Sequence, residues 1–307
     1  MTAVAPVPRP PVLRGLPWSV VRLHRVALWL WIGFVVAGSG LLLWSYRPGA
    51  TTPVPGSRPF DDFTALHLTA RLITLLPLAV AAFAGGALIG RELENGTAAL
   101  AWTQSVSPSR WLAARLAVPA LLLTAGTAAL CLVFRWAWTS GDAHRAPGWY
   151  ERDVFLAGGP AGLAYVLLGL ALGVLSGLLM RRALSGLGLA FFATLLPVVT
   201  LAMARSHLWP TTRWTGSEAA RLPVGFDRTE VGVVTAGGKF VPGIECAMDR
   251  PGDLEQCLRG NGWADVYSVG HPASHYWPLQ LVETGIVLAL AALACWACFA
   301  LLRRRTA

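Results

Sequence analysis

Charge is what this sequence has least of: 13% of its 307 residues are charged, against roughly 25% in soluble domains. With 55% hydrophobic residues beside so little charge, an ordinary water-soluble fold is excluded and an integral membrane protein is implied. Lysine is nearly absent, Lys239 being the single example, so arginine carries almost all the positive charge. The net charge of +9 would suit a nucleic-acid binder. No basic cluster is interleaved with stacking aromatics, however, and the arginines sit at the ends of apolar runs, which excludes nucleic acid as a partner.

Recognisable chemistry is scarce as well. "AGGKF" at 236–240 lacks the spaced first glycine and the Ser/Thr of a phosphate loop, and "LSGLG" at 184–188 lies in an apolar run. Ionisable residues are nearly missing from the interiors of the apolar runs, which disfavours transport driven by a bound proton or ion. Arg71, Arg135, Arg205 and Glu283 fall near run ends, where snorkelling to the interface is expected. There are five cysteines. Cys131, Cys295 and Cys298 fall inside runs as small packing residues, whereas Cys246 and Cys257 lie outside and are either a disulfide clamping a short loop or two free thiols. His271 and His275 have an i, i+4 spacing that could ligate a metal on a helix, but no third ligand stands nearby, and Pro272, Tyr276 and Trp277 favour the entry of a helix into the membrane. No catalytic, cofactor or metal site is expected.

What the chain does have is apolar runs of spanning length: 26–46, 71–90, 112–134, 160–180, 183–204 and 279–302. The fold class expected is therefore an all-α integral membrane protein with six transmembrane helices. Arginines flank the runs before the first (Arg9, Arg14, Arg22, Arg25), between the second and third (Arg91, Arg110, Arg115), between the fourth and fifth (Arg181, Arg182) and after the sixth (Arg303, Arg304, Arg305). This pattern places both termini in the cytoplasm. The chain divides into a proline-rich disordered tail and an interfacial elbow helix over 1–25, five spans with a cytoplasmic loop 91–111 over 26–204, a small extracytoplasmic segment over 205–278, and the last span with a basic tail over 279–307. No small-residue cleavage site follows the first run, so it is expected to stay as an anchor.

In this topology Glu92 and Glu94 are the only acids on the inner side. They open the polar island "GRELENGTAALAWTQSVSPSRWLAARL" at 90–116. The second span should end near Gly90, Asn95-Gly96 should break the helix, and Thr97 should cap a short helix "AALAWTQ" whose Leu100 and Trp102 lie along the membrane surface. Ser107 and Pro108 restart the chain as N-cap and first helical residue. Such a device could carry a push from a soluble partner into the membrane, with Glu92 and Glu94 bonding to that partner or merely solvating a span end.

The segments "ELENGT" and "VSPSRW" resemble the Glu-x-Glu-x-Gly-Thr and Val-Ser-x-x-Arg-Trp elements of type-2 ABC transporter permeases, particularly those of actinobacteria. "VVRLHRVAL" looks like the family's Arg-Gln-His-Arg-x-Ala-Leu elbow with Leu23 in place of Gln. "HPASHYWPLQLVETG" looks like its Gln-Pro-Ala-Ser-x-Phe-Trp-Pro-Phe-Gln entry to the last span, with His271 and Tyr276 departing.

The resemblance implies one half of a dimeric transmembrane domain, paired with a second copy or a paralogous permease and surrounded by membrane lipid in the bacterial cell membrane. ATP and Mg would be held by a separate ATP-binding subunit. Glu92, Glu94, Gly96, Thr97, Leu100, Trp102 and Arg110 would form the coupling contact with it, and Arg22, His24 and Arg25 the elbow contact. Export of a hydrophobic or amphipathic compound is the function implied. Two rivals stay open: a non-transporting sensor or resistance accessory, and a membrane-embedded enzyme drawing on His271, His275, Asp265 and Glu245.

Overall fold

The computed structural model describes residues 21–45, 62–103, 107–140, 147–220, 222–243 and 253–306. Among them, six helices are long and apolar enough to cross a membrane. In chain order the helices are α1 (Arg25–Ser45), α2 (Asp62–Phe83), α3 (Thr97–Thr103), α4 (Pro108–Ser140), α5 (Arg152–Ala157), α6 (Pro160–Met180), α7 (Ala183–Ala204), α8 (Ser217–Ala220), α9 (Asp253–Asn261) and α10 (Tyr276–Thr306). Helix α2 does not stop at Phe83. It runs on through a π-helical stretch, Ala84–Gly90, and a last α-helical turn, Arg91–Glu94.

The second span is thus longer at both ends than its apolar run suggests, beginning at Asp62 and closing at Glu94. The third likewise runs on to Ser140. Arg71 and Arg135, expected at run ends, lie within these longer helices and have ionic or aromatic partners there. Arg71 Nε lies 3.8 Å from Asp153 Oδ2, and the Arg135 guanidinium sits 4.7 Å from the centre of the Trp277 ring.

The second and fourth spans form the middle of the bundle. Of their apolar windows 67% is buried within the chain, against 6% for the first span, so α1 is peripheral, packing on α4 and α2, while α6 touches α2, α4, α7 and α10. Close approach is possible because α6 presents Gly169, Gly173 and Gly177 at four-residue spacing. A Cβ at Gly173 would stand 2.6 Å from the Ala81 carbonyl oxygen, and one at Gly177 2.8 Å from Ile89 Cβ. In lipid, where apolar burial gives no preference for helix over solvent, such backbone contact supplies the packing that holds helices together.

Between the fifth and sixth spans lies a four-stranded antiparallel sheet, β1 (Thr212–Thr215), β2 (Asp227–Thr235), β3 (Phe240–Pro242) and β4 (Trp263–His271), in the order β1-β4-β2-β3. The all-α expectation describes the membrane part; the sheet is an addition to it. Ala219, Val233 and Val266, with Trp214, Leu254, Leu258 and Trp263, form its small core under α9. The sheet is tied to the bundle where the Trp149 indole N–H donates to the Gly225 carbonyl and the His271 Nε2–H to the Ser206 carbonyl, 3.1 Å away.

Cys131 and Cys298 are buried in the bundle, and these two and Cys295 are free thiols. Cys257 lies on α9. Cys246, its expected partner, lies outside the described residues, as does most of the tail and elbow, 1–20.

Candidate functional site

At the end of the bundle where the second and third spans meet, the chain makes a helix, a turn, a short helix and a second long helix. Gly96 takes φ +71° in the turn, a left-handed conformation that glycine adopts without steric penalty. Ser107 caps the third span, its hydroxyl accepting from the Arg110 amide at 3.4 Å, with Pro108 as the first helical residue. Thr97 behaves differently from expectation: its hydroxyl donates to the Glu92 carbonyl at 3.1 Å, tethering the start of α3 to the end of the second span.

Glu92 and Glu94 are both engaged within the chain. Glu92 is buried and forms an ion pair with the equally buried Arg115 of α4. Glu94 accepts the Ala183 amide at 2.8 Å, covering an N–H at the start of α7 that has no partner within its own helix. The expected presentation of Glu92 to a partner is corrected accordingly, whereas Glu94 stays exposed with its second oxygen turned to solvent. The cause is the continuation of the second span beyond Gly90: in its π-helical stretch the Arg91 amide bonds to the Gly86 carbonyl, five residues back, which alters the phase of the turn that follows and brings Glu92 to face α4.

Trp102 is also turned inward. Its ring meets the buried Trp111 edge-on, with centroids 5.8 Å apart, and Ala98 is fully covered. Leu100, 62% exposed, remains on the open side of α3 with Gly96 and Thr97, and Arg110 is exposed at the head of the third span. Of the elbow residues, Arg22 and Arg25 are exposed. His24 points into the bundle, its ring 5.5 Å from Phe83 in an edge contact. Burial, with the Arg115 charge adding to it, pushes the His24 imidazole down to about 4.

A second polar cluster, not anticipated, lies at the opposite end. Glu283 of α10 is fully buried. It accepts from Arg205 Nε at 2.8 Å, from Arg205 Nη2 at 3.0 Å and from the Tyr165 hydroxyl at 2.9 Å. The Arg205 guanidinium lies 3.9 Å from the centre of the Phe155 ring. One turn earlier on α10, Gln280 accepts the Ala161 amide at 3.1 Å and donates to the Phe155 carbonyl. Snorkelling at Arg205 and Glu283 is therefore corrected to a buried bidentate pair joining the fourth, fifth and sixth spans. The available sequence signal was Gln280 and Glu283, three residues apart and hence on one helical face.

His271 and His275 stand with Nδ1 atoms 3.1 Å apart. Because His271 donates through Nε2 to a carbonyl, its Nδ1 accepts from His275 when both are neutral. Among the described residues there is no group of three or more His, Cys, Asp or Glu side chains that could hold a metal ion.

The six spanning helices make this a multi-pass membrane bundle. Residues 56–205 match the family model described as ABC-2 membrane transporter related, and this match supports an ABC-2 type membrane permease. It covers the second to fifth spans and every contact of α3 just described; the amino-terminal "VVRLHRVAL" and the entry to the last span fall outside it. No curated protein and no solved structure matches the chain.

Proposed function

We propose that this chain is the membrane-spanning permease subunit of an ATP-driven exporter in the bacterial cell membrane, handling a hydrophobic or amphipathic compound. A separate ATP-binding subunit holds ATP and Mg, and a second copy or a paralogous permease completes the transmembrane domain. The end carrying α3 faces the cytoplasm, consistent with the arginines gathered there.

One observation carries the reading: α3 is open to solvent along Leu100 and clamped behind. Thr97 ties it to the second span, Trp102 packs it on the third, and the Glu92–Arg115 and Glu94–Ala183 contacts join those spans to one another and to the fifth. A displacement of α3 by closing ATP-binding subunits is thereby delivered to three spans together, the kind of rigid-element transmission by which a local push becomes a tilt of the bundle.

The test is purification of the tagged chain from its native host in mild detergent, with mass spectrometry of what accompanies it and an ATPase assay on the eluate. A stoichiometric ATP-binding subunit with vanadate-sensitive turnover is the expected result. Its absence under conditions that preserve a known ABC complex would overturn the proposal in favour of a non-transporting membrane protein.

A further inference from the structure

The sheet meets the bundle at a pair of imidazoles. His271 ends β4 and is fully buried, and His275, half-buried, stands just before α10. His271 Nε2 donates to the Ser206 carbonyl at 3.1 Å, and its Nδ1 lies 3.1 Å from Nδ1 of His275. Three elements are joined there: the end of the fifth span, the last strand and the entry to the sixth span. A carbonyl can only accept, so His271 Nε2 keeps its hydrogen. When both rings are neutral, the facing Nδ1 atoms therefore share the one hydrogen of His275.

This arrangement limits how many protons the closed joint accepts. A first added proton settles on His275 Nε2, away from the contact, and leaves the Nδ1–H···Nδ1 bond in place. A second can go only to Nδ1 of His271, where it sets two N–H groups and two positive charges against each other at 3.1 Å. Parted, the two rings take a proton each without conflict. The open joint thus binds one proton more than the closed one. Closure is complete above the ordinary histidine value of about 6.5 and is lost as pH falls below it, by up to about tenfold per pH unit. The charged groups around the pair do not cancel this. Arg205 is bound to Glu283, and His207, bonded to the Ser206 hydroxyl, is exposed. Asp227 stands opposite His271 in the β2–β4 ladder, but burial holds its carboxyl above the usual range, against the pull of His271 and Arg205, so acid discharges it in the same descent.

We propose that the His271–His275 pair is an acid-sensitive latch, which holds the sheet on the bundle and releases it when both imidazoles are charged. Histidines brought together at an interface open it in this way. The other tie, the Trp149 indole on the Gly225 carbonyl, does not titrate and becomes the pivot. Release uncovers the end of the bundle where Arg205 and Glu283 join the fourth, fifth and sixth spans. On the orientation proposed above, the latch senses acid outside the cell; the proton count itself needs neither that orientation nor an ATP-binding partner.

The full chain is placed in nanodiscs, where both faces meet the same buffer, and amide exchange is followed from about pH 8 to about pH 4.5, each rate divided by its intrinsic value at that pH. Protection over 205–209 and 270–275 should fall by about tenfold or more across the lower half of this range. The paired strands over 231–234 and 265–268 should keep theirs, because the sheet swings away intact. His275→Gln is the decisive variant. Its amide can turn either an N–H or its oxygen to Nδ1 of His271, which suits both states of that ring, so the fall should be largely lost while the melting temperature at pH 8 stays near wild type. His271→Gln keeps an N–H for the Ser206 carbonyl with nothing to titrate, and its profile should be flat as well. A wild-type profile that stays level throughout would overturn the proposal, as would a fall that His275→Gln leaves unchanged. Loss of the fall in Asp227→Asn alone would move the trigger to that carboxyl and likewise remove the latch.

Discussion

At the scale of single residues, the two buried ion pairs carry the clearest consequences. Removing one member of a buried pair strands the other's charge and costs about 3–5 kcal/mol, whereas replacing both by apolar groups is often neutral. Glu92→Leu and Arg115→Met should each lower the melting temperature in detergent substantially, and the double variant should recover most of the loss. If the singles melt like wild type, the Glu92–Arg115 pair does not join the second and third spans as described. The His24 imidazole yields a pH dependence. Its folded pKa, depressed to about 4 from 6.5 by burial first and Arg115 second, means the unfolded or undocked state binds the proton first. Docking of the amino-terminal turn is therefore fully present above pH 6.5 and weakens as pH falls towards 4. Amide exchange at 21–28 should rise over that window in wild type and be flat in His24→Phe.

At the scale of elements, two glycine positions separate local geometry from packing. Gly96 has open space around it and a left-handed φ, so Gly96→Val meets no neighbour and strains only the turn, by roughly 1–2 kcal/mol. Stimulation of a partner ATPase should drop while the melting temperature of the bundle stays close to wild type; parallel loss of both would show that the turn is part of the core. Gly173 is the opposite case, because any Cβ there collides with Ala81 and Ala84. Gly173→Leu should prevent α6 from closing on α2 and abolish monodisperse recovery in detergent, as read by size exclusion. The α3 helix contributes through its placement. Leu100→Asp, on its open side, should reduce co-purification of an ATP-binding subunit without altering thermal stability.

At the scale of the whole molecule, the two ion pairs sit at opposite ends of the bundle. Glu92–Arg115 lies beneath α3, and Glu283–Arg205 with Tyr165 lies beneath the sheet. The second cluster joins the fourth, fifth and sixth spans at the point from which the sheet emerges, so the sheet rests on a rigid base. Glu283→Leu alone should destabilise by about 3–5 kcal/mol, and Glu283→Leu with Arg205→Met should regain most of that. Thermal melts of the two variants check this, and equal losses in both would show that the pair itself stabilises the junction rather than that a stranded charge costs it.

The sequence by itself determined the membrane class, the six apolar helices, the break at Asn95-Gly96 and the Ser107-Pro108 restart. Each of these depends on local quantities: run length against bilayer thickness, the φ that glycine permits, the oxygen a serine offers to an amide. Only the tertiary structure decided where the polar residues point. Glu92 reads as a loop carboxylate until a π-helical stretch continues the span and turns it onto Arg115, and helical phase beyond such a stretch is not written in the local pattern. Arg205 and Glu283, 78 positions apart, each look like a residue seeking the interface; their pairing depends on which helices become neighbours. The sheet between 212 and 271 was equally hidden, because β1 and β3 are very short and β2 and β4 are bulged and paired across α9, so their stability rests on contacts distant in sequence. Helix existence in a membrane is a local matter of hydrogen bonds closed within one segment. Side-chain partnership is a property of the packed bundle.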